Sequence, residues 1–122
     1  MTANFTFNGI PVVAATAQQA ARWRLEDIRR DAHEKAAGLA PGGYWTTGLA
    51  VVLVALSRQA LGTMTPERAD GIVAASAGIW GALLAAEEAI QAVLDGPGDD
   101  AEKVAAIDAI WPAWPPLPGA PG

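Results

Sequence analysis

Residues 69–94 read ADGIVAASAGIWGALLAAEEAIQAVL. Ile72, Ser76, Ile79, Leu83, Ala86, Ile90 and Val93 recur at alternating steps of four and three, which is the seam of one long helix. Its start is marked. Thr65 is placed to cap it, and Pro66 follows at the first helical position, where a missing N–H costs nothing. The face opposite the seam carries Gly71, Ala74, Gly78, Ala82 and Ala85. Glycine inside a helix costs about 1 kcal/mol relative to alanine, so Gly71, Gly78 and Gly81 require a compensating gain. The expected gain is close approach of another helix on that small face, from the same chain or from a second copy. Trp80, off the seam, is placed to cover a second contact. The large face is expected against residues 48–61.

Just upstream, GLAVVLVALSRQALG has no polar side chain from Gly48 to Leu56. Its valines would allow a strand, but its length, its Ala and Leu content and the closing Gly62 predict a buried helix. Thr46 or Thr47 would be its N-cap. The GLAPGG run over 38–43 separates it from an earlier helix that starts after Thr16. Thr16 and Gln19 form a capping-box pattern. Ala21, Leu25, Ile28, Ala32 and Leu39 give this helix one apolar stripe. The other faces carry a charge ladder, in which Arg22 can reach Glu26, Glu26 can reach Arg29 and Arg30, and Asp31 can reach Lys35. Five of the eight basic residues sit here, so the rest of the chain is acidic. The ladder reads as a solvated face or as a contact for an acidic partner, such as the C-terminal half of another copy.

The first residues, NFTFNGIPVVAA over 3–14, predict a β-hairpin. Phe5 and Phe7 alternate with Thr6, Asn8-Gly9 suits a two-residue turn, and Ile10, Val12 and Val13 return. Pro11 confines the return strand to an edge. A lone hairpin is marginal in water, so this one must pack on the helices or extend a neighbour's sheet along an edge that includes Phe5, Phe7 and Ile10.

At the other end, Asp99-Asp100-Ala101-Glu102 is a second capping box, opening a short helix with Val104 and Ile107 inward. The chain then becomes WPAWPPLPGAPG, with five prolines that impose extended geometry. Either this tail is free, or it is an arm that docks Trp111, Trp114 and Leu117 on a neighbouring surface. The expected organisation is a hairpin over 1–15, a helical domain over 16–110 and an arm over 111–122. In sum, the chain is read as a mainly α protein, a small bundle of three to four helices with an N-terminal β-hairpin and an extended Trp/Pro-rich C-terminal arm.

Composition excludes several functions. A net charge of -5 argues against general nucleic-acid binding. The absence of cysteine removes disulfides and thiolate metal sites. The N-terminus has no basic run ahead of its short apolar stretch, so no secretory signal is expected. His33 is the single histidine and has no His or Cys one turn away. The acidic pairs Glu87-Glu88 and Asp99-Asp100 are neighbours along a helix and point apart. Ser57 and Ser76 lack a nucleophile-elbow context. No enzyme motif and no cofactor site is read from this chain.

Membrane insertion is the main competitor. Residues 43–57 and 71–86 carry no charge, and two apolar helices after an amphipathic one would suit a holin-like lysis protein. Each run is shorter than the roughly 20 residues a bilayer requires, charges bracket both, and no basic cluster would orient them.

The order of parts resembles a domain of unknown function from tailed-phage tail-fibre and tail-tip proteins. Phe5-Thr6-Phe7-Asn8-Gly9 resembles its aromatic hairpin, and Gln18-Gln19-Ala20-Ala21-Arg22 its Gln- and Arg-rich helix. Met64-Thr65-Pro66-Glu67 is similar to the opening of its long Ala-rich helix. The very apolar 48–56 run and the Trp/Pro tail depart from that pattern. The resemblance implies a small virion structural protein at the tail tip, baseplate, fibre or head–tail region. It would be built into the particle from the host cytoplasm as a homo-oligomer that also contacts other virion proteins. A tail assembly chaperone covering another tail protein is a further alternative.

Overall fold

The structure is a computed structural model that describes residues 2–39 and 51–116, the side chain of Val51 excepted. Among these, β1 (Phe5–Phe7) and β2 (Ile10–Val12) are followed by α1 (Ala17–Ala37), α2 (Val51–Ala60), α3 (Pro66–Asp95) and α4 (Asp100–Asp108). The protein is thus mainly α with an N-terminal antiparallel hairpin, as the sequence predicts. Thr46 and Thr47, the expected caps of α2, lie outside the described residues, as does Leu117.

The contacts group the chain into two units, each discontinuous in sequence. One holds residues 1–30 and 83–112, the other 31–82 and 113–122, so α1 and α3 contribute to both. The hairpin falls in the first unit together with α4, and residues 113–116 fall in the second.

In the first unit the hairpin turns on Asn8 and Gly9, with φ of 53° and 76°. Both are positive, as a type I′ turn requires, and Asn and Gly tolerate that region best. Thr6 faces Pro11 in the register. Proline has no N–H, so this is the pair whose backbone groups point away from the ladder, and the hairpin loses no bond to Pro11. Phe5 is buried, and both Phe5 and Phe7 pack on Trp23 of α1, with ring centroids 6.1 and 5.4 Å away. The start of α1 is the expected capping box. Gln19 N–H donates to Thr16 Oγ1 at 3.1 Å, and Gln19 Oε1 accepts from Ala15 N–H at 2.8 Å. Asp99 caps α4 by accepting from Glu102 N–H at 2.9 Å. Ile28, Ile90, Val104 and Ile107 are fully buried and form the core of this unit.

In the second unit α2 ends as the sequence predicts. Gly62 has φ 78°, its N–H reaches Gln59 O, and Thr63 N–H reaches Arg58 O at 2.9 Å, which together make a Schellman motif. Thr65 Oγ1 accepts from Arg68 N–H at 3.2 Å and opens α3. Ala69, Ile72, Ser76 and Ile79 of the seam are buried here, and Ala86 and Ile90 continue it in the first unit. Leu83 and Val93 are half-buried.

One expectation fails. The apolar α2 is not a buried helix: Ala55 is buried, but Leu53 is 67% and Leu56 45% exposed. Ten residues present one face inward, and an all-apolar run cannot hide the other face unless something covers it. On the small face of α3, a side chain added at Gly71 or Gly78 would meet no described helix within 4 Å. A side chain added at Gly71 or Gly81 would meet nothing within 4 Å, and Ala74 and Ala85 are exposed. Among the described residues, only Gly78 of these glycines is closely approached, and the approaching group is Pro115.

Candidate functional site

Several of the polar groups that could carry chemistry hold the fold together. Arg24 on α1 is the clearest case. Its side chain is 9% exposed, and its Nη2 donates to Asp108 Oδ1 at 2.8 Å, to Asp108 O at 3.1 Å and to Thr6 O at 3.4 Å. Thr6 N–H donates to the same Asp108 Oδ1 at 3.0 Å. Both outward backbone groups of Thr6 are therefore taken. The outer edge of β1 is closed by an ion pair, and that of β2 presents Pro11. Closing both edges removes the template on which another strand could pair. The guanidinium also lies over Phe5 at 4.9 Å and Trp111 at 5.5 Å, so its flat faces meet aromatic rings while one edge makes its hydrogen bonds.

Asp27, one turn on, grips the hairpin turn. Its Oδ2 accepts from Asn8 N–H at 2.8 Å, and Arg30 Nη1 lies 3.0 Å from its Oδ1 and donates to Asn8 Oδ1 at 2.8 Å. The Arg30–Asp27 approach is an ion pair without hydrogen-bond alignment, so the Asn8 bonds are the directional ones. The charge ladder thus forms only at its far end, where Lys35 Nζ meets Asp31 Oδ1 at 3.0 Å. Arg29 reaches Glu87 on α3 at 3.4 Å, an acidic partner within the same chain.

The remaining candidates are similarly placed. Asp100 Oδ1 accepts from Ala17 N–H at 3.0 Å and so satisfies the first turn of α1. Ser76 is 2% exposed within the seam. His33 stands edge-on to Trp80, with ring centroids 5.3 Å apart. Among the described residues no three His, Asp or Glu side chains gather as a metal site would require. A cleft of about 400 Å³ in the first unit is lined in part by Gln18, Gln91, Asp95 and Lys103. There Gln91 Nε2 donates to Asp95 Oδ1 and Lys103 Nζ to Leu94 O.

What the described residues leave unpartnered is apolar surface. On α2, Leu53, Leu56 and Ala60 share one exposed face, and Leu61 beyond it is 77% exposed. On α3, Ala74, Ala77, Gly81 and Leu84 are exposed at steps of three and four, with Asp70 and Glu88 at the ends of the stripe. This exposed stripe overlaps the small face only in part. Ala74 and Ala85 lie in the open, Gly71 and Ala82 are half-buried, and Gly78 is covered. Trp80 is half-buried.

Of the hairpin-edge residues, Phe5 and Phe7 serve the core and Ile10 is 59% exposed. Of the arm residues, Trp111 is 47% exposed, while Trp114 donates from Nε1 to Asp31 Oδ2 at 2.8 Å. Sequence reading missed Arg24, Asp27, Asp108 and Asp100. The one available signal was an arginine and an aspartate, Arg24 and Asp27, at helical spacing beside the apolar stripe.

No protein-family model matches the chain, and neither the curated proteins nor the solved structures yield a match.

Proposed function

We propose that this chain is a non-enzymatic structural component of a tailed-phage particle that assembles in several copies through apolar helical surface. The observation that carries the assembly part is the uncovered apolar face of α2 at Leu53, Leu56 and Leu61, together with the stripe of α3 that ends at Leu84. Exposed apolar side chains clustered on one helix face favour a contact with another molecule. The phage assignment rests on the sequence resemblance alone. Two measurements test the proposal. Sedimentation of the purified chain should give an oligomer, reduced in size by Leu53→Ser with Leu56→Ser; a monomer at high concentration defeats the assembly reading. Mass spectrometry of density-purified particles should find the chain at a fixed copy number; its absence from finished particles defeats the virion reading and favours an assembly chaperone.

One observation favours a second reading. The α3 helix contains an 18-residue window of mean hydropathy 1.5 of which 28% is buried, so by length and composition it could cross a membrane. The sequence reading judged each uncharged run too short, but the helix continues without a break to 30 residues. A holin-like protein would partition into the membrane fraction on expression. Full recovery without detergent eliminates this reading.

A further inference from the structure

The gain that offsets a glycine in mid-helix is visible at one position. A Cβ on Gly78 would stand 3.0 Å from Pro115 Cγ, closer than ordinary packing permits, so the proline ring sits in the notch that the missing side chain leaves. The preceding residue is held as specifically. Trp114 Nε1–H donates to Asp31 Oδ2 at 2.8 Å, and Lys35, bound to the other oxygen of Asp31 at 3.0 Å, places its ammonium 5.6 Å from the Trp114 ring centroid. Three groups within the second unit thus read two consecutive residues. The Asp31 carboxylate takes the indole N–H, Lys35 takes the ring face, and Gly78 admits the proline.

We infer that this notch is a docking site for a Trp-Pro segment and that the C-terminal arm of a second copy fits it as the chain's own arm does. The arm beyond α4 forms no helix or strand over residues 110–116 and contains Pro112, Pro115 and Pro116. A proline-stiffened segment has little conformational freedom to lose on docking. Exchange between copies replaces every contact by an identical one, so it is opposed only by the loss of the local arm's high effective concentration. The inference rests on the reading that copies assemble, and it supplies the partner of the arm.

Complementation tests it with full-length chains. Gly78→Leu keeps the arm and fills the notch; Trp114→Ala with Pro115→Ala keeps the notch and blunts the arm. Mixing the two, each also carrying Leu53→Ser and Leu56→Ser to remove assembly through α2, should give a 1:1 complex by sedimentation that neither variant forms alone. Asp31→Ala in the notch-bearing partner should weaken it by roughly tenfold or more. Absence of the complex, with both variants as helical as wild type, overturns the inference. Should Gly78→Leu not fold, Asp31→Ala with Lys35→Ala replaces it as the notch-deficient chain. If the mixture fails while wild type remains oligomeric, arm exchange alone falls and the assembly reading stands.

Discussion

The two units of this chain use the same helices in opposite ways. In the unit of residues 1–30 and 83–112, polar side chains tie distant segments together: Arg24 to Asp108 and Thr6, Asp27 to Asn8, Asp100 to Ala17. Four of the five largest fully buried side chains, Ile28, Ile90, Ile107 and Val104, also belong to it. Among the described residues of the unit of residues 31–82 and 113–122, only Ile79 joins that set of large buried side chains, and the three leucines of 53–61 are exposed. The first unit concentrates the polar ties and the large buried side chains, with Ile10, Val13, Leu84 and Trp111 exposed at scattered positions, whereas in the second the exposed large apolar side chains cluster on α2 and just beyond it.

The largest test of that contrast is Arg24→Ala. It strands Asp108 and opens the β1 edge. Because Asp108 is about a third exposed, the cost should fall at the lower end for broken buried pairs, about 3 kcal/mol in urea unfolding. A loss under about 1 kcal/mol would place Arg24 with ordinary surface ion pairs.

Ile107→Ala should cost about 3 kcal/mol by core truncation, whereas Leu53→Ala in the other unit should leave the stability of isolated chains within about 0.5 kcal/mol. Equal losses at the two positions would erase the contrast. The Leu53 change should appear instead in the sedimentation size of the assembly.

Asp27→Asn keeps the shape but removes the charge that faces Asn8 N–H and Arg30, and should cost about 1–2 kcal/mol. Smallest is Gly9→Ala, which forces a side chain into positive φ at an otherwise open position, at about 1 kcal/mol by thermal melting. The same change at Gly71, with ordinary helical φ and nothing within 4 Å, should stabilise by up to about 1 kcal/mol.

The sequence by itself determined what is local. Asn8-Gly9 fixed the hairpin turn because both positions need positive φ. Thr16 with Gln19, Thr65 with Pro66, Asp99 and Gly62 marked helix ends because their side chains or backbone satisfy neighbouring amides and carbonyls. The α3 seam followed from helical periodicity, with Ile72, Ile79 and Ile90 buried as predicted.

Only the tertiary structure decided which charges are structural and which apolar faces stay open. Nothing in the local pattern around Arg24 points to Asp108, which lies 84 residues away. Nothing around Asp100 says that, while Asp99 caps its own helix, it turns to the start of another. The small face of α3 looked like one surface because Gly and Ala share a helical spacing. Distance to a neighbouring segment divides it: at Gly78 a proline fills the gap, and at Gly71 and Gly81 no described residue does. Periodicity reports which residues share a face, but burial depends on whether another segment reaches that face, and that is a property of the folded chain.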